Sequence, residues 1–511
     1  MGRTGPLYSD PRLVVFGAAV AAVVLRFPGL LYPIGPDEAG FTLAARTWDP
    51  ASGSLYGDYW VDRHPALLAL VKAADEVGGP LFLRFLAAIG CALLVLAAAA
   101  TARAVLRHTR VVDESMLGRA GAWTALLTAA VTSSAMIDPI MAKGEVLGIP
   151  FVVGSFWLVL VAVNRARPDA VAACVAGGAG LAGCLALGMK QNLFAGLLFA
   201  AVVLVGSRLT GRLTASGLRR LGGAAVVGAA VPLAVTLAWA EWAGVQVDRL
   251  WFTLYGFRLA AVDVLFSDLT AGSVDRALLL PVIGIGTGAG LVLGIALVHV
   301  RRLWRLTPVL TVATALVLFV DLAGVVLGGS YWRQYLFVLV PDLVLCAALL
   351  LALRARIARR VRVLIVAAAV CSVTSSLVWL LAFQAGVSPA VEVRSGRAVA
   401  AVAEPGDTIV SYGGRPDLVW ASALDSPYPY LWSLQMRTVD PRLAELRSVL
   451  SGDEAPTWVV MAAPGWSWNH LAAPIQPVLE SRYTVHGRVC RGRYVYLRAD
   501  LDRAPLSPDC T

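Results

Sequence analysis

Lysine is nearly absent from this 511-residue chain and occurs only at Lys72, Lys143 and Lys190. Charged residues of all kinds make up 15% of the sequence, whereas 58% of it is hydrophobic. This scarcity of charge excludes an ordinary soluble domain and is typical of a polytopic membrane protein. The bias from Lys towards Arg, in a chain dominated by Ala, Val, Leu and Gly, predicts a GC-rich and actinobacterial genome.

Short catalytic signatures are also missing. We find no nucleophile motif, P-loop, dinucleotide fingerprint or internal repeat in the sequence. The seven cysteines have no CxxC or zinc spacing, and five of them lie in apolar runs, as core or lipid-facing residues do. Only Cys490 and Cys510 fall in the polar C-terminal region, where an extracytoplasmic disulfide is allowed but not required.

About eleven apolar runs are long enough to cross a membrane. The net charge of +10 does not indicate a nucleic-acid partner, because the basic residues form short clusters between these runs, as in cytoplasmic loops. The first run is not a cleavable signal, because it continues through Arg26 and Pro28 and no small-residue cleavage site follows. The runs cover residues 12–32, 81–104, 119–137, 144–163, 170–187, 191–206, 222–243, 276–298, 307–328, 336–353 and 363–384.

The arginine clusters predict the orientation of the chain in a plasma membrane. They occupy every second loop, which makes those loops and the N-terminus cytoplasmic. Residues 1–385 then form a membrane module whose first extracytoplasmic loop is 33–80, with short surface helices. Residues 386–511 form a small extracytoplasmic α/β domain, because three β-type runs near 408–412, 457–461 and 494–497 flank turns and a helical stretch near 440–450.

The pair Asp37-Glu38 lies where the first run ends, and carboxylates beside a membrane favour a functional interpretation. The structural alternative is a helix N-terminus, where carboxylates complement the helix dipole. Other polar motifs are predicted on the same side of the membrane and bring acids, cations and aromatics to one face. They are Asp58 to Pro65, Asp138 to Glu145, Lys190-Gln191-Asn192 and Tyr331 to Tyr335.

Together these motifs resemble the GT-C superfamily of polyprenyl-phosphate-dependent glycosyltransferases, which includes protein O-mannosyltransferases and the lipid A aminoarabinose transferase. The resemblance covers almost the whole chain. It depends on an Arg in the first span, an Asp-Glu pair at its exit, a basic motif with Pro closing the first loop, and an aromatic-basic-Tyr motif before a late span with Pro. These are Arg26, Asp37-Glu38, Arg63-His64-Pro65, and Tyr331 to Tyr335 with Pro341.

The resemblance implies an inverting transfer of a sugar from a polyprenyl phosphate to an extracytoplasmic glycan, lipid or protein. It places the general base at Asp37, with Glu38 as its catalytic neighbour. Cations that face the same side are expected to bind the donor phosphate, and these are Lys143, Lys190, Arg333, Arg63 and His64. Acceptor or sugar binding is expected at Asp138, Glu145, Tyr56, Gln191, Tyr331 and Tyr335.

Several alternatives remain open at the level of sequence. Lys190 and Arg333 are also placed where cations snorkel from helix ends. Asp138 and Glu145 could join Asp37 around a divalent cation, since some members of the superfamily need one, but we expect an acidic site without metal. Asp321 lies inside an apolar run and is either a site residue or part of an interhelical hydrogen bond.

Two other function classes compete with the transferase. A secondary transporter of an envelope precursor would also carry charges within its spans, but transporters usually show paired halves with matching broken helices. We find no such symmetry in the sequence. A lipid-binding scaffold would leave Asp37 without a role.

Overall fold

We describe a computed structural model of the chain over residues 10–50, 54–111, 113–138, 141–165, 167–267, 271–386, 390–462 and 473–510. All eleven predicted runs lie largely in helix. Eight helical segments in the described residues are long and apolar enough to cross a membrane, and a ninth arises if the bent pair Gly272–Gly286 and Ala289–Val298 is one span. The helix Ala195–Leu209 is apolar but shorter.

The helices of the first 386 residues are numbered in chain order. They are α1 (Pro11–Val24), α2 (Phe27–Leu30), α3 (Pro36–Arg46), α4 (Pro65–His108), α5 (Glu114–Thr132), α6 (Gly144–Asn164), α7 (Ala170–Met189), α8 (Ala195–Leu209), α9 (Ala215–Trp242), α10 (Val247–Trp251), a π-helical turn (Phe252–Gly256), α11 (Phe257–Ser267), α12 (Ala271–Gly286), α13 (Ala289–Val298), α14 (Val300–Leu306), α15 (Pro308–Leu327), a 3-10 turn (Arg333–Leu339), α16 (Val340–Leu351) and α17 (Ala355–Gln384).

Burial separates central helices from peripheral ones. The segment that includes α16 is 83% buried inside the protein, whereas α9 and α17 are only 11% and 17% buried and expose Val and Leu side chains. Exposed apolar surface on this scale needs lipid around it. Helix α9 crosses α7 at small residues, and a Cβ on Gly228 would lie 1.9 Å from the carbonyl oxygen of Gly177. Only glycine permits this close backbone approach.

The first long loop, 33–80, contains helix α3 and the first part of α4. Helix α3 follows the membrane exit directly, and the segment 54–64 returns the chain to α4. Helix α4 begins outside the predicted span and is broken at Gly78 and Gly79, where φ of Gly79 is +66°. Its first part is therefore the amphipathic segment expected on the membrane surface, and its second part is the predicted span.

The C-terminal region contains a four-stranded sheet of order β1-β2-β4-β3. β1 and β2 are parallel, and the other two pairings are antiparallel. Three strands coincide with the predicted β-type runs, while β3 was not predicted. The elements are α18 (Val391–Ala400), β1 (Ile409–Tyr412), α19 (Pro416–Ser422), α20 (Ser433–Val439), α21 (Ala444–Ser451), β2 (Trp458–Met461), α22 (Gln476–Arg482), β3 (Tyr483–Val489), a 3-10 turn (Cys490–Gly492) and β4 (Arg493–Arg498).

A disulfide joins Cys490 to Cys510, with their Cα atoms 5.3 Å apart. The sequence left this bond open. It ties the chain end to the turn between β3 and β4, so the last residues of the C-terminal region are held against the sheet.

Candidate active site

The site is built around the N-terminus of α3. Gly35 is the N-cap and Pro36 the first helical residue, as helix starts favour, so Asp37 and Glu38 both fall in the first turn. Their positions favour carboxylates because of the helix dipole. The helix-terminus alternative is therefore correct as local structure, but the two side chains have different surroundings.

Glu38 is fully buried and occupied by structural contacts. Its carboxylate receives two hydrogen bonds from the Arg84 guanidinium, at 2.9 and 2.6 Å, and one from the Ala142 amide at 2.8 Å. It also caps its own helix through the Gly35 amide at 3.2 Å. Arg84 further donates to the carbonyl oxygens of residues 29, 32 and 33. Glu38 therefore fixes α3 to α4 and to the segment before α6, and no lone pair faces an open space.

Asp37 is half-buried, and its hydrogen bond comes from the far end of the chain. The indole Nε1 of Trp432 donates to Asp37 Oδ1 over 3.2 Å. Trp432 reaches this point because α3 carries Gly40 on the facing side, where a Cβ would lie 2.2 Å from two atoms of the indole ring. Within the described residues Asp37 has no ion-pair partner.

Lys143 faces the acids of this site. It directly precedes α6, and its Nζ lies 3.2 Å from the Asp138 carboxylate. The Lys143 side chain is only 9% exposed. Burial by itself lowers the pKa of Lys143, but the carboxylates of Asp138 and Asp37, with help from Glu145, hold that pKa above its ordinary value. Lys143 is therefore a permanent cation within electrostatic reach of Asp37.

Lys190 lies beside Lys143 because the ends of α6 and α7 meet. A Cβ on Gly144 would come within 2.5 Å of the Met189 carbonyl oxygen. Lys190 pairs with Glu145, and its ammonium stands 5.0 Å from the centre of the Tyr335 ring. Burial lowers the pKa of Lys190 below its ordinary value, although Glu145 opposes this shift. A second anion would therefore stabilise the ammonium.

A third ion cluster centres on Asp62, which is 5% exposed. Its carboxylate pairs with Arg63 at 2.7 Å and with Arg258 from α11. Burial alone lowers the pKa of Arg63, but Asp62 and Asp37 raise it above its ordinary value. Gln191 donates to the Asp62 backbone carbonyl. Through these contacts the Asp62 cluster lies next to Lys190 and Gln191. The carboxylate of Asp37 is close enough to Arg63 to interact with its charge.

Other expected site residues have structural contacts instead. The Tyr56 hydroxyl is buried and donates to the Arg63 carbonyl oxygen, so it braces the loop. His64 caps α4, with Nδ1 accepting from the Ala66 amide at 3.2 Å. Burial lowers the pKa of His64 to about 4, so it is neutral near pH 7. We therefore remove it from the cations expected to bind phosphate.

The residues of the motif Tyr331 to Tyr335, before α16, differ in their surroundings. Tyr335 lies beneath the Lys190 ammonium. Tyr331 adopts a left-handed backbone, with φ of +51°, at the turn after α15. Arg333 is exposed, and no ion pair involving it occurs in the described residues. Arg26 of the first span is buried and reaches the carbonyl oxygens of Thr132 and Met141, each at 3.4 Å, so it braces the segment before α6.

Sequence reasoning missed four residues that shape the site. Arg84 was overlooked as a lone charge within an apolar run, which is itself a signal of function or pairing. Asp62 was passed over beside Arg63, and Arg258 and Trp432 have no spacing that would link them to Asp37. Asp321 was noticed, and it is buried near Asp342 of α16, but neither carboxyl oxygen of Asp342 has a hydrogen-bond partner in the described residues, so the interhelical hydrogen bond weighed from the sequence is not formed between this pair.

The acids of this region do not form a metal cluster. Asp138 and Glu145 each face a lysine rather than one another. Among the described residues, no group of three or more His, Cys, Asp or Glu side chains is arranged to hold a metal ion. The acidic site without metal, as expected from the sequence, stays a prediction.

Comparison with solved structures identifies the fold. The structure of ArnT from Cupriavidus metallidurans bound to undecaprenyl phosphate is similar to this chain, with a TM-score of 0.60 and 18% sequence identity. The match covers 98% of this chain and 99% of the ArnT chain. The AglB oligosaccharyltransferase from Archaeoglobus fulgidus, in complex with an inhibitory peptide and a dolichol-phosphate, matches 97% of this chain over 75% of its own, with a TM-score of 0.50 and 14% identity. The chain has the GT-C membrane fold.

The GT-C-like fold predicted from the sequence motifs is thus confirmed, together with the small C-terminal sheet. No protein-family model and no curated protein matches the sequence.

Proposed function

We propose that this chain is an integral-membrane glycosyltransferase that moves a sugar from a polyprenyl phosphate to a hydroxyl of an extracytoplasmic acceptor. The observation that carries the proposal is Asp37, a half-buried carboxylate without an ion-pair partner in the described residues, next to a group of paired cations. The fold likeness to ArnT and AglB, whose structures hold polyprenyl-type lipid phosphates, supports the same class of donor.

In the proposed reaction Asp37 accepts the proton of the acceptor hydroxyl as its oxygen attacks the anomeric carbon. The bond from that carbon to the phosphate oxygen breaks, and the polyprenyl phosphate leaves with the electron pair. A single displacement inverts the anomeric carbon. Glu38 is not a reacting group in this proposal, because its oxygens are held by Arg84 and two amides. It positions Asp37.

The leaving phosphate gains charge and needs cations that are already in place. Lys190, Arg63 and Arg258 form a cationic side of the site, partly neutralised by Glu145 and Asp62. Burial has lowered the pKa of Lys190, so a phosphate at this point would restore its preference for the charged form. Lys143, which pairs with Asp138, and the exposed Arg333 can add to this group, while Tyr335 borders it beside Lys190.

The proposed orientation places the N-terminus in the cytoplasm and the C-terminal sheet outside. The arginine clusters support it through the positive-inside rule. The disulfide between Cys490 and Cys510 supports it independently, because such bonds persist in oxidising compartments. The acceptor would then be a glycan, lipid or protein of the cell envelope. We place the membrane module at 1–385 and the outer domain at 386–511.

Transfer can be tested with purified protein in nanodiscs, supplied with polyprenyl-phosphate sugars and candidate acceptors. We expect Asp37→Asn to lower kcat at least about 10³-fold, because a carboxamide cannot accept the proton. Asp453→Asn, an exposed acid of the C-terminal region, is the matched control and should keep full activity.

A folded Asp37→Asn protein with full transfer would rule out the assignment of the base. Donor-independent uptake of a solute into proteoliposomes, with no transfer by the wild type, would instead favour a transporter.

A further inference from the structure

A cavity outside the candidate membrane spans is not used by the mechanism above. Its volume is about 460 Å³, within the range of about 300–1,000 Å³ that small-molecule sites occupy. Three separate parts of the chain form it: the first loop at 54–60, the segment 249–253, and the C-terminal region at 427–445. None of its lining residues belongs to a candidate membrane span.

Its wall combines aromatic rings with carboxylates. Trp60 and Tyr430 meet edge to face with their centroids 6.3 Å apart, and Phe252 adds a third ring. Asp58 and Glu445 contribute two carboxylates, against one cation, Arg249. Rings pack against the apolar faces of sugars, while carboxylates accept hydrogen bonds from their hydroxyls. An excess of acid disfavours an anionic ligand, so the donor phosphate does not fit here.

Thr253 is a polar residue of the cavity wall. It lines the cavity and is only 1% exposed, yet its hydroxyl oxygen has no hydrogen-bond partner in the described part of the chain. Unsatisfied buried hydroxyls are rare in folded proteins. Thr253 also stands in the π-helical turn Phe252–Gly256, and such turns occur frequently at functional sites because they re-aim side chains.

The cavity is coupled to the proposed reaction centre through the chain. The Trp60 amide donates to the Pro429 carbonyl oxygen at 3.0 Å, which fixes the first loop to the C-terminal region. Two residues after Trp60, Asp62 holds Arg63 and Arg258. Two residues after Tyr430, Trp432 contacts Asp37. A ligand in the cavity would therefore be held by the two segments that lead to Asp62 and to Trp432.

We propose that this cavity binds a neutral saccharide segment of the acceptor, next to the unit whose hydroxyl reacts. The assignment of the saccharide to the acceptor rests on the proposed function, while saccharide binding itself does not. The proposal names a carbohydrate rather than a bare peptide, because hydroxyl-accepting carboxylates and rings dominate the wall.

Binding can be measured without donor, by saturation-transfer NMR on the full-length protein in nanodiscs. The probes are three neutral oligosaccharides: mannotetraose, an arabinofuranose tetrasaccharide and maltotetraose. We expect at least one to bind with a Kd of about 1 mM or below. Asp58→Asn and Tyr430→Ala should each raise that Kd about tenfold, the loss of one good contact.

Asp453→Asn and Tyr494→Ala are the matched controls, because they remove an exposed acid and an exposed aromatic ring that do not line the cavity. They should leave the Kd within about twofold. Absence of binding by all three probes overturns the proposal, and so does binding that Asp58→Asn and Tyr430→Ala leave unchanged. A wild type that binds a probe but transfers no sugar contradicts the proposed function and supports saccharide binding at the cavity.

Discussion

Trp432 and Asp37 are 395 positions apart in sequence, and the indole of one donates a hydrogen bond to the carboxylate of the other over 3.2 Å. This contact links the C-terminal region to the first turn after the membrane exit. It orients one oxygen of Asp37 and leaves the second oxygen to act. Trp432 is therefore a positioning residue in the proposed reaction.

Replacing the indole tests that role. Trp432→Phe keeps an aromatic ring and removes the donor, and we expect kcat for sugar transfer to fall about tenfold, the value of a hydrogen bond to a charged group. The KM for the donor should not change, because the phosphate is held elsewhere. Steady-state kinetics with the purified protein would measure kcat and the KM for the donor separately.

Trp420→Phe is a matched control, because the Trp420 indole Nε1 is buried with no hydrogen-bond partner in the described residues. It should leave kcat unchanged. A change in KM alone for Trp432→Phe would contradict a positioning role.

The sequence predicted the membrane module well for a physical reason. Every span must satisfy its backbone within one segment and must be apolar over its length, so both properties are visible locally. The broken helix α4 was less accessible. Its amphipathic start was expected as a short surface helix, but the sequence did not show that this helix runs into the span through a break at Gly78 and Gly79.

The site was predicted only in part, because its contacts are distant in sequence. Asp37, Lys143 and Lys190 could be named from their places at predicted membrane exits. Their partners could not, since nothing in the sequence relates Trp432 to Asp37. The distinction between Asp37 and Glu38 is likewise a matter of packing. Adjacent residues in one helical turn point in different directions, and only Glu38 faces Arg84.

The Glu38–Arg84 pair should dominate the stability of this region. Both side chains are at most 3% exposed. Glu38→Gln would leave the Arg84 charge buried and uncompensated, which we expect to cost about 3–5 kcal/mol. The thermal unfolding midpoint of the purified protein should fall accordingly.

The exposed pair Arg46–Asp75 gives the matched control. It has the same two-pronged geometry, at 2.8 and 3.0 Å, but the Arg46 side chain is 49% exposed. Asp75→Asn should therefore cost at most about 1 kcal/mol. Equal losses in the two variants would show that burial does not set the strength of the Glu38 pair.

Lys190 should contribute to donor binding. Lys190→Gln removes an ammonium held between Glu145 and the ring of Tyr335, and we expect the KM for the polyprenyl-phosphate sugar to rise about 10- to 100-fold. Because the chain has only three lysines, Lys72→Gln is a natural control. Lys72 lies in the first part of α4. The KM of the Lys72→Gln variant for the polyprenyl-phosphate sugar should match that of the wild type.

Salt adds a second measurement for the same variant. The wild-type KM should rise as ionic strength increases, since charge attraction contributes to phosphate binding. The Lys190→Gln enzyme should respond less steeply. An unchanged KM in Lys190→Gln would leave Arg63 and Arg258 as the phosphate-binding cations and remove Lys190 from the proposal.

His64 should make the protein less stable in mild acid. Its imidazole is buried as the cap of α4, with Nδ1 accepting from the Ala66 amide and Nε2 3.5 Å from the Thr236 hydroxyl. Burial lowers the pKa of His64 from 6.5 to about 4. Between these values the unfolded chain binds a proton that the folded protein excludes, so stability is complete above pH 6.5 and is lost as the pH falls towards 4. The shift corresponds to about 3 kcal/mol at most.

His64→Asn isolates this effect, because Asn also accepts a hydrogen bond at an N-cap but does not titrate. We expect the thermal unfolding midpoints of the two proteins to differ by a constant amount above pH 6.5. Between pH 6.5 and 4 the midpoint of the wild type should fall steadily relative to that of His64→Asn. All other titrating groups are common to both proteins, so their effects cancel in the difference. Parallel curves over the whole range would mean that His64 takes up its proton in the folded state, and the imidazole would then return to the cations available to a phosphate.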